Sequence, residues 1–277
     1  MINDFNEIKM RTKNRYILLV LVMFCQFVNA QFDEKFYFPK KEWKEVHIPH
    51  SEEFIAVEND TIHTTFFQTN KKIKATILFF HGAGGNISTY MYMIKPLVEN
   101  GYQVYAVDFR GYGKSTGKPT HVNVKQDAEM FFQRVQNTAA VKNTKLIVYG
   151  ASLGCQIATY IANKHQKEIN GLILDGGFAS FADVAKLYAP KEAHTYIDMA
   201  LGKMYPSKEE IKEIINVPKL IIHGKADKSI PIEQSKIVYS NAQEPKVFFE
   251  SEEDHLNAIK LETKVVFKEI DKLLTIQ

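Results

Sequence analysis

From Thr76 onward the sequence alternates short apolar runs with segments whose apolar residues recur at helical spacing, and few architectures satisfy that alternation. The runs are Thr76–Phe80, Gln103–Phe109, Lys145–Tyr149, Gly171–Asp175, Pro218–His223 and Lys246–Glu250. Between the first two, Ile87, Tyr90, Met91, Ile94, Leu97 and Val98 mark a helix, with Asn86 as its N-cap and Gly101 as its stop. Val124, Ala128, Phe131 and Val135 mark the next. Parallel strands need crossover connections, so the pattern predicts an α/β fold with a mostly parallel central sheet and helices on both faces. Upstream, Phe54–Glu58 and Thr61–Thr69 read as two antiparallel strands turning at Asn59-Asp60.

Sheets of this kind bind ligands at the carboxyl ends of their strands. There the run ending at Tyr149 meets Gly150-Ala151-Ser152-Leu153-Gly154, and a helical pattern follows through Cys155, Ile157, Ala158, Ile161 and Ala162. A serine on so sharp a strand-to-helix turn is held in a strained conformation that projects its Oγ, and the flanking positions must lack bulky side chains. Ser152 is therefore the expected nucleophile, with the Leu153 N–H at the helix start as an oxyanion donor. Elsewhere such a serine is only a turn residue or a cap, and it is the strand and helix around it that favour the catalytic reading.

Asp227 follows the run Pro218–His223, and His255 follows Lys246–Glu250. In that order the two supply the acid that orients an imidazole and the base that takes the serine proton. Asp175 is the rival acid because it ends the preceding strand, whereas Asp254 adjoins His255 too closely in sequence to orient it from behind. His81 and His223 each precede a glycine at a strand end, where a structural hydrogen bond is expected. The second oxyanion donor comes from His81-Gly82-Ala83-Gly84-Gly85-Asn86. Ala83 is the choice and Gly84 the alternate. No phosphate-loop pattern is present, which argues against a nucleotide enzyme, and the chemistry needs no metal or other cofactor.

With these parts in order, the chain from about Ile55 resembles the α/β-hydrolase superfamily. Within it, Phe79 to Asn86 and the run Asp108-Phe109-Arg110-Gly111-Tyr112-Gly113-Lys114-Ser115-Thr116-Gly117 are similar to the serine aminopeptidase S33 group. The resemblance implies cofactor-free hydrolysis of esters or related acyl compounds, and a tight turn beside the active site for the second run. Arg110 there reads as a tie between loops. Members of the group often carry Asn at the position of Ala83, a change that a backbone donor survives.

Between Asp175 and Pro218, about residues 178–216, lies a short cap insert rich in apolar side chains. Phe178, Tyr188, Met199 and Met204 are its candidate substrate-pocket residues, against the plainer expectation of short helices packed on the core. Three functions stay open: a carboxylesterase or lipid-acyl hydrolase, an S33-type aminopeptidase, and a non-catalytic binding protein on the same fold. An aminopeptidase calls for an acidic cluster in the cap, for which Glu192, Asp198, Glu209 and Glu210 are available.

At the N-terminus, Arg11, Lys13 and Arg15 precede an apolar run from Tyr16 to Phe24, weaker to Val28, and then Ala30. This is the layout of a signal peptide over residues 1–30, or of an uncleaved anchor, ahead of a hydrolase domain over 31–277. Either form exports the domain to the periplasm or the medium, and the anchor would associate it with the membrane. Only Cys155 then remains, so no internal disulfide can form. The net charge of +3 is small and partly N-terminal, which argues against nucleic acid as a partner and leaves a small-molecule or lipid acyl substrate. The sequence carries no signal for oligomeric state.

Overall fold

The computed structural model describes residues 33–276. The expected signal segment lies outside them. Of the unit that ends at Tyr37, the described part is residues 33–37, one helical turn over 33–36 and then Tyr37. The fold belongs to the unit that starts at Phe38.

That unit is built on one eight-stranded sheet. Its strands are β1 (His50–Val57), β2 (Asp60–Phe67), β3 (Ala75–Phe80), β4 (Tyr102–Asp108), β5 (Leu146–Ala151), β6 (Gly171–Asp175), β7 (Lys219–Gly224) and β8 (Lys246–Ser251). They lie in the order β8-β7-β6-β5-β3-β4-β2-β1. From β3 onward every pairing is parallel, while β2 runs antiparallel to both β4 and β1. β3 to β7 are buried on both faces, which is why they read as continuous apolar runs in the sequence.

The longer helices are α1 (Met91–Glu99), α2 (His121–Gln136), α3 (Gly154–Lys164), α4 (Phe181–Leu187), α5 (His194–Leu201), α6 (Ile232–Asn241) and α7 (Thr263–Leu273). Alternate strand residues point to opposite faces. Ile77, Phe79, Val104, Ala106, Ile147, Tyr149, Leu220 and Ile222 therefore share one face, where they meet Ile94 and Leu97 of α1 and Val266, Phe267, Ile270 and Leu273 of α7. Phe80 points the other way, onto Phe131 of α2 at 6.1 Å between ring centroids. Asn86 does cap the helical segment that leads into α1, its side chain accepting from the Ser88 N–H at 3.0 Å.

Two features of this fold hold the site's surroundings. Arg110 ties the β1–β2 hairpin to α2, its Nε donating to Asp127 at 2.9 Å and its guanidinium reaching Glu58 at 3.0 Å. The segment Phe38–Pro39 forms a two-residue parallel ladder with Gly84–Gly85, and Asn86 Nδ2 donates to the Lys40 and Glu42 carbonyls at 2.9 and 2.8 Å. This strap lies across the glycine-rich loop. It comes from a stretch whose sequence shows no period.

The insert between β6 and β7 behaves as two parts. Phe178, Phe181, Leu201, Tyr205, Ile211 and Ile214 are buried, and Ser207 Oγ donates to Gln156 Oε1 of α3 at 2.7 Å, so its ends pack on the core. Leu187, Tyr188, Tyr196 and Met199 on or beside α4 and α5 are exposed. Among the described residues no helix is long and apolar enough to cross a membrane.

Candidate active site

Where β5 turns into α3, Ser152 takes φ of 53°, a left-handed backbone that costs free energy and persists only where the surroundings enforce it. The enforcement is steric. A Cβ on Gly150 would lie 2.5 Å from the Gly154 carbonyl oxygen, and one on Gly154 would lie 2.1 Å from that of Phe80. Only glycine at both places lets α3 start so close to β5 and β3. Ser152 itself is only partly buried, and its N–H donates to the Asp175 carbonyl at 2.8 Å.

His255 stands on the loop after β8. Its Nδ1 lies 2.5 Å from Asp227 Oδ2, and its side chain is 21% exposed while that of Asp227 is fully buried. Gly176, next to Asp175, lies against the imidazole: a Cβ there would be 3.0 Å from His255 Cε1. Ser152 and His255 thus flank the same end of β6. Because Nδ1 donates to a carboxylate, Nε2 is left as the basic nitrogen. Neither His255 Nε2 nor Ser152 Oγ has a hydrogen bond to a described residue, so both are free to engage a third party.

Asp227 is held from every side. Its Oδ1 accepts from the Ser229 and Ile230 N–H groups at 2.8 and 2.9 Å, and its Oδ2 also faces His223 Nε2 at 3.2 Å. Burial alone would raise its pKa, but hydrogen bonds from His223, His255 and Ile230 outweigh that and hold the carboxyl well below the usual range. Asp175 has the opposite environment. It is buried, accepts from Tyr149 Oη at 2.7 Å, and is pushed up to about 6, chiefly by burial. The imidazole therefore meets Asp227 and not Asp175. Asp254 caps the loop, accepting from the His255 N–H at 2.7 Å.

The glycine-rich loop passes beside the serine, since a Cβ on Gly82 would be 3.1 Å from Ser152 Cβ. The Ala83 carbonyl is pinned by Tyr112 Oη at 2.6 Å and by the Phe38 N–H at 2.9 Å, which fixes the peptide plane that follows it. The N–H groups of Ala83 and Leu153 have no acceptor among the described residues, so both remain available as donors. Tyr112 belongs to the run Asp108 to Gly117, but nothing in the sequence linked it to Ala83.

The named cap residues do not converge on one enclosed pocket. Phe178 is buried edge-on to Phe181 at 5.2 Å between centroids, and Met204 is half-buried. Tyr188 and Met199 are 75% and 81% exposed and line open surface, with Tyr188 Oη 3.4 Å from the Ser229 carbonyl beside Asp227. They sit on the outer faces of short helices whose other faces are already occupied.

A family model described as serine aminopeptidase, S33 matches residues 71–209. The chain belongs to the S33 serine aminopeptidase family. An uncharacterised protein of Escherichia coli K12, YfhR, is 30% identical over 242 residues, covering 83% of this chain and 82% of that one. Protein bem46 of Schizosaccharomyces pombe is 28% identical over 179 residues, 64% of this chain and 60% of that one. Among solved structures, an esterase of Pyrococcus furiosus superposes with a TM-score of 0.67 at 19% identity, covering 86% of this chain and 98% of that one. Est1E of Butyrivibrio proteoclasticus, solved with ferulic acid, gives 0.66 at 17% identity, covering 80% and 99%. The fold is that of the α/β-hydrolases, as the order of motifs implied, and the chain is an α/β-hydrolase.

Proposed function

We propose that this hydrolase cleaves carboxylic esters through an acyl-enzyme on Ser152. His255 Nε2 takes the hydroxyl proton as Oγ attacks the carbonyl carbon, and the Leu153 and Ala83 N–H groups hold the oxyanion. The same nitrogen returns the proton to the leaving alcohol. Water, deprotonated by His255, then releases the acid and restores Ser152. Asp227 keeps Nδ1 protonated and stabilises the imidazolium throughout. One oxyanion donor of this kind is typically worth ~3 kcal/mol in the transition state. The observation that carries the reading is the 2.5 Å contact between His255 Nδ1 and Asp227 Oδ2, on loops that open beside the strained Ser152. The Ser152 to His255 hydrogen bond would form when substrate binds, as such contacts tighten on complex formation.

The aminopeptidase reading finds less support. Of the four cap acids, Asp198 is paired with Lys186 and Glu209 with Lys212 at 2.6 Å, so two of them are neutralised by lysines of the same insert. The esterase neighbours favour acyl esters, and the open cap favours accessible acyl groups over deeply enclosed ones. The basic and apolar N-terminal segment is consistent with export of the enzyme.

Fluorophosphonate labelling tests the mechanism, with Ser152→Ala as control. Labelling of the parent alone is expected. Equal labelling of both proteins would remove Ser152 from the mechanism. A panel of p-nitrophenyl esters and aminoacyl anilides then separates the classes: ester turnover is expected, anilide turnover alone would make the enzyme a peptidase, and neither would favour a binding protein.

A further inference from the structure

Tyr90 belongs by spacing to the apolar stripe that leads into α1, yet its hydroxyl lies beside the nucleophile. A Cβ at Gly82 would stand 2.4 Å from Tyr90 Oη and 3.1 Å from Ser152 Cβ. The phenol oxygen therefore occupies the room that the missing side chain leaves, and it is no farther from Ser152 Cβ than the sum of those two distances. At that range an oxygen on a carbon bonded to Ser152 Oγ comes within hydrogen-bond reach. The ring is packed on three sides, with Phe79, His81 and Tyr92 at 6.1, 5.7 and 6.2 Å between centroids. Only 7% of the residue is exposed, so the hydroxyl is held in place before any substrate arrives.

The side on which it stands decides its use. In the sheet, β5 lies between β6 and β3. His255 comes to the serine from the β6 side, where a Cβ on Gly176 would be 3.0 Å from its Cε1. Tyr90 comes from the β3 side with Gly82, whose C-terminal peptide carries the Ala83 N–H. Base and phenol thus flank Ser152 from opposite directions, and the phenol shares its side with the proposed oxyanion donor of the glycine-rich loop. Burial raises the Tyr90 pKa well above the usual tyrosine value, so the hydroxyl keeps its proton. The Gly82 N–H approaches its oxygen as a donor, and no described group accepts that proton. It is free for an acceptor that the substrate brings.

We infer that Tyr90 is a further catalytic residue, its hydroxyl a third donor to the oxyanion beside the N–H groups of Leu153 and Ala83. The inference rests on the acyl-enzyme reading above. No proton is transferred in this contact: the O–H bond stays intact, its hydrogen bond strengthens as negative charge collects on the carbonyl oxygen, and it relaxes when the carbonyl re-forms. His255 remains the base. Because the contact favours the tetrahedral state over the bound ester, it acts on kcat rather than on KM.

Tyr90→Phe in the full chain tests this, since it removes one oxygen and keeps the ring in its packing. With a p-nitrophenyl ester, kcat should fall by about 10²-fold while KM stays near that of the parent. A trifluoromethyl ketone, which forms a hemiketal oxyanion on the serine, should lose affinity by a similar factor. A kcat within about threefold of the parent would overturn the inference. A shifted Gly82 loop would also lower kcat, so the parent enzyme supplies a second measurement. With carbon-13 at tyrosine Cζ, the Tyr90 resonance should move when the hemiketal forms. An unmoved resonance would make Tyr90 only a support for the loop and overturn the donor role, and this arm needs no variant to fold. The acyl-enzyme reading fails separately, if fluorophosphonate does not label the parent at Ser152.

Discussion

Asp175 ends β6 and Asp227 follows the adjacent β7, both with buried side chains, yet their neighbours shift the two carboxyls in opposite directions. Asp227 has donors on both oxygens, two of them histidines. Asp175 has the Tyr149 hydroxyl, and burial pushes it up to about 6. A carboxyl raised on folding is costly when ionised, so its effect on stability is absent below the unfolded value near 4 and grows as pH rises through about 6. Asp175→Asn, which keeps an acceptor for Tyr149, should stabilise the protein at pH 8 by on the order of 3 kcal/mol at most, and hardly at pH 4. Urea unfolding at both pH values checks this. A gain of equal size at the two would show that the charge of Asp175 is not the cause. Activity should separate the two acids in the other direction. Asp227→Asn should lower kcat by about 10⁴-fold, the size of loss seen when a triad acid is neutralised, while Asp175→Asn should leave most of it. The reverse outcome in steady-state kinetics would return the acid role to Asp175.

At the scale of elements, the turn at Ser152 was readable because sterics wrote it into the sequence. Gly150 and Gly154 are demanded by backbone atoms of α3 and β3, and no other residue fits. Gly154→Ala would set a Cβ 2.1 Å from the Phe80 carbonyl oxygen, and since that oxygen belongs to a central strand it cannot yield. The expected result is a loss of several kcal/mol or of soluble protein altogether, read by thermal unfolding. A variant that melts with the parent would mean that α3 can shift without harm. Other elements left weaker traces. β1 starts at His50, because His50-Ser51-Glu52-Glu53 continues the ladder with β2 through backbone bonds while its side chains face solvent. An exposed edge needs no apolar signal. The strap over Gly84–Gly85 also binds through the backbone, so nothing in Phe38 or Pro39 announces it. In the cap, the apolar residues counted toward a pocket divide between the core and open surface. Composition alone does not distinguish the two destinations.

For the whole molecule, the parallel order of the sheet puts Ser152, Asp227 and His255 just beyond the ends of β5, β7 and β8, so the pairing of His255 with Asp227 could be read from their sequence order after strands. Distances between side chains were not legible in the same way. The two histidines on Asp227 come from different strands, and only packing brings His223 and Ser235 together. Stability of the described fold also rests on packing, since Cys155 is a free buried thiol and no disulfide supports the sheet. Cys155 lies in the first turn of α3, with Sγ 3.1 Å from the Gly150 carbonyl, and burial raises its pKa well above the usual thiol value. Both its access to reagent and its thiolate fraction are therefore suppressed while α3 is docked. Maleimide pulses along a urea titration, read by mass spectrometry on the peptide containing Cys155, should show modification rising only with the loss of helical circular dichroism. Rapid modification in native buffer would instead reveal local opening at the base of the Ser152 turn, in the element that also presents the Leu153 donor. In that case the proposed oxyanion site would be assembled only part of the time, and kcat would carry the free energy of closing it.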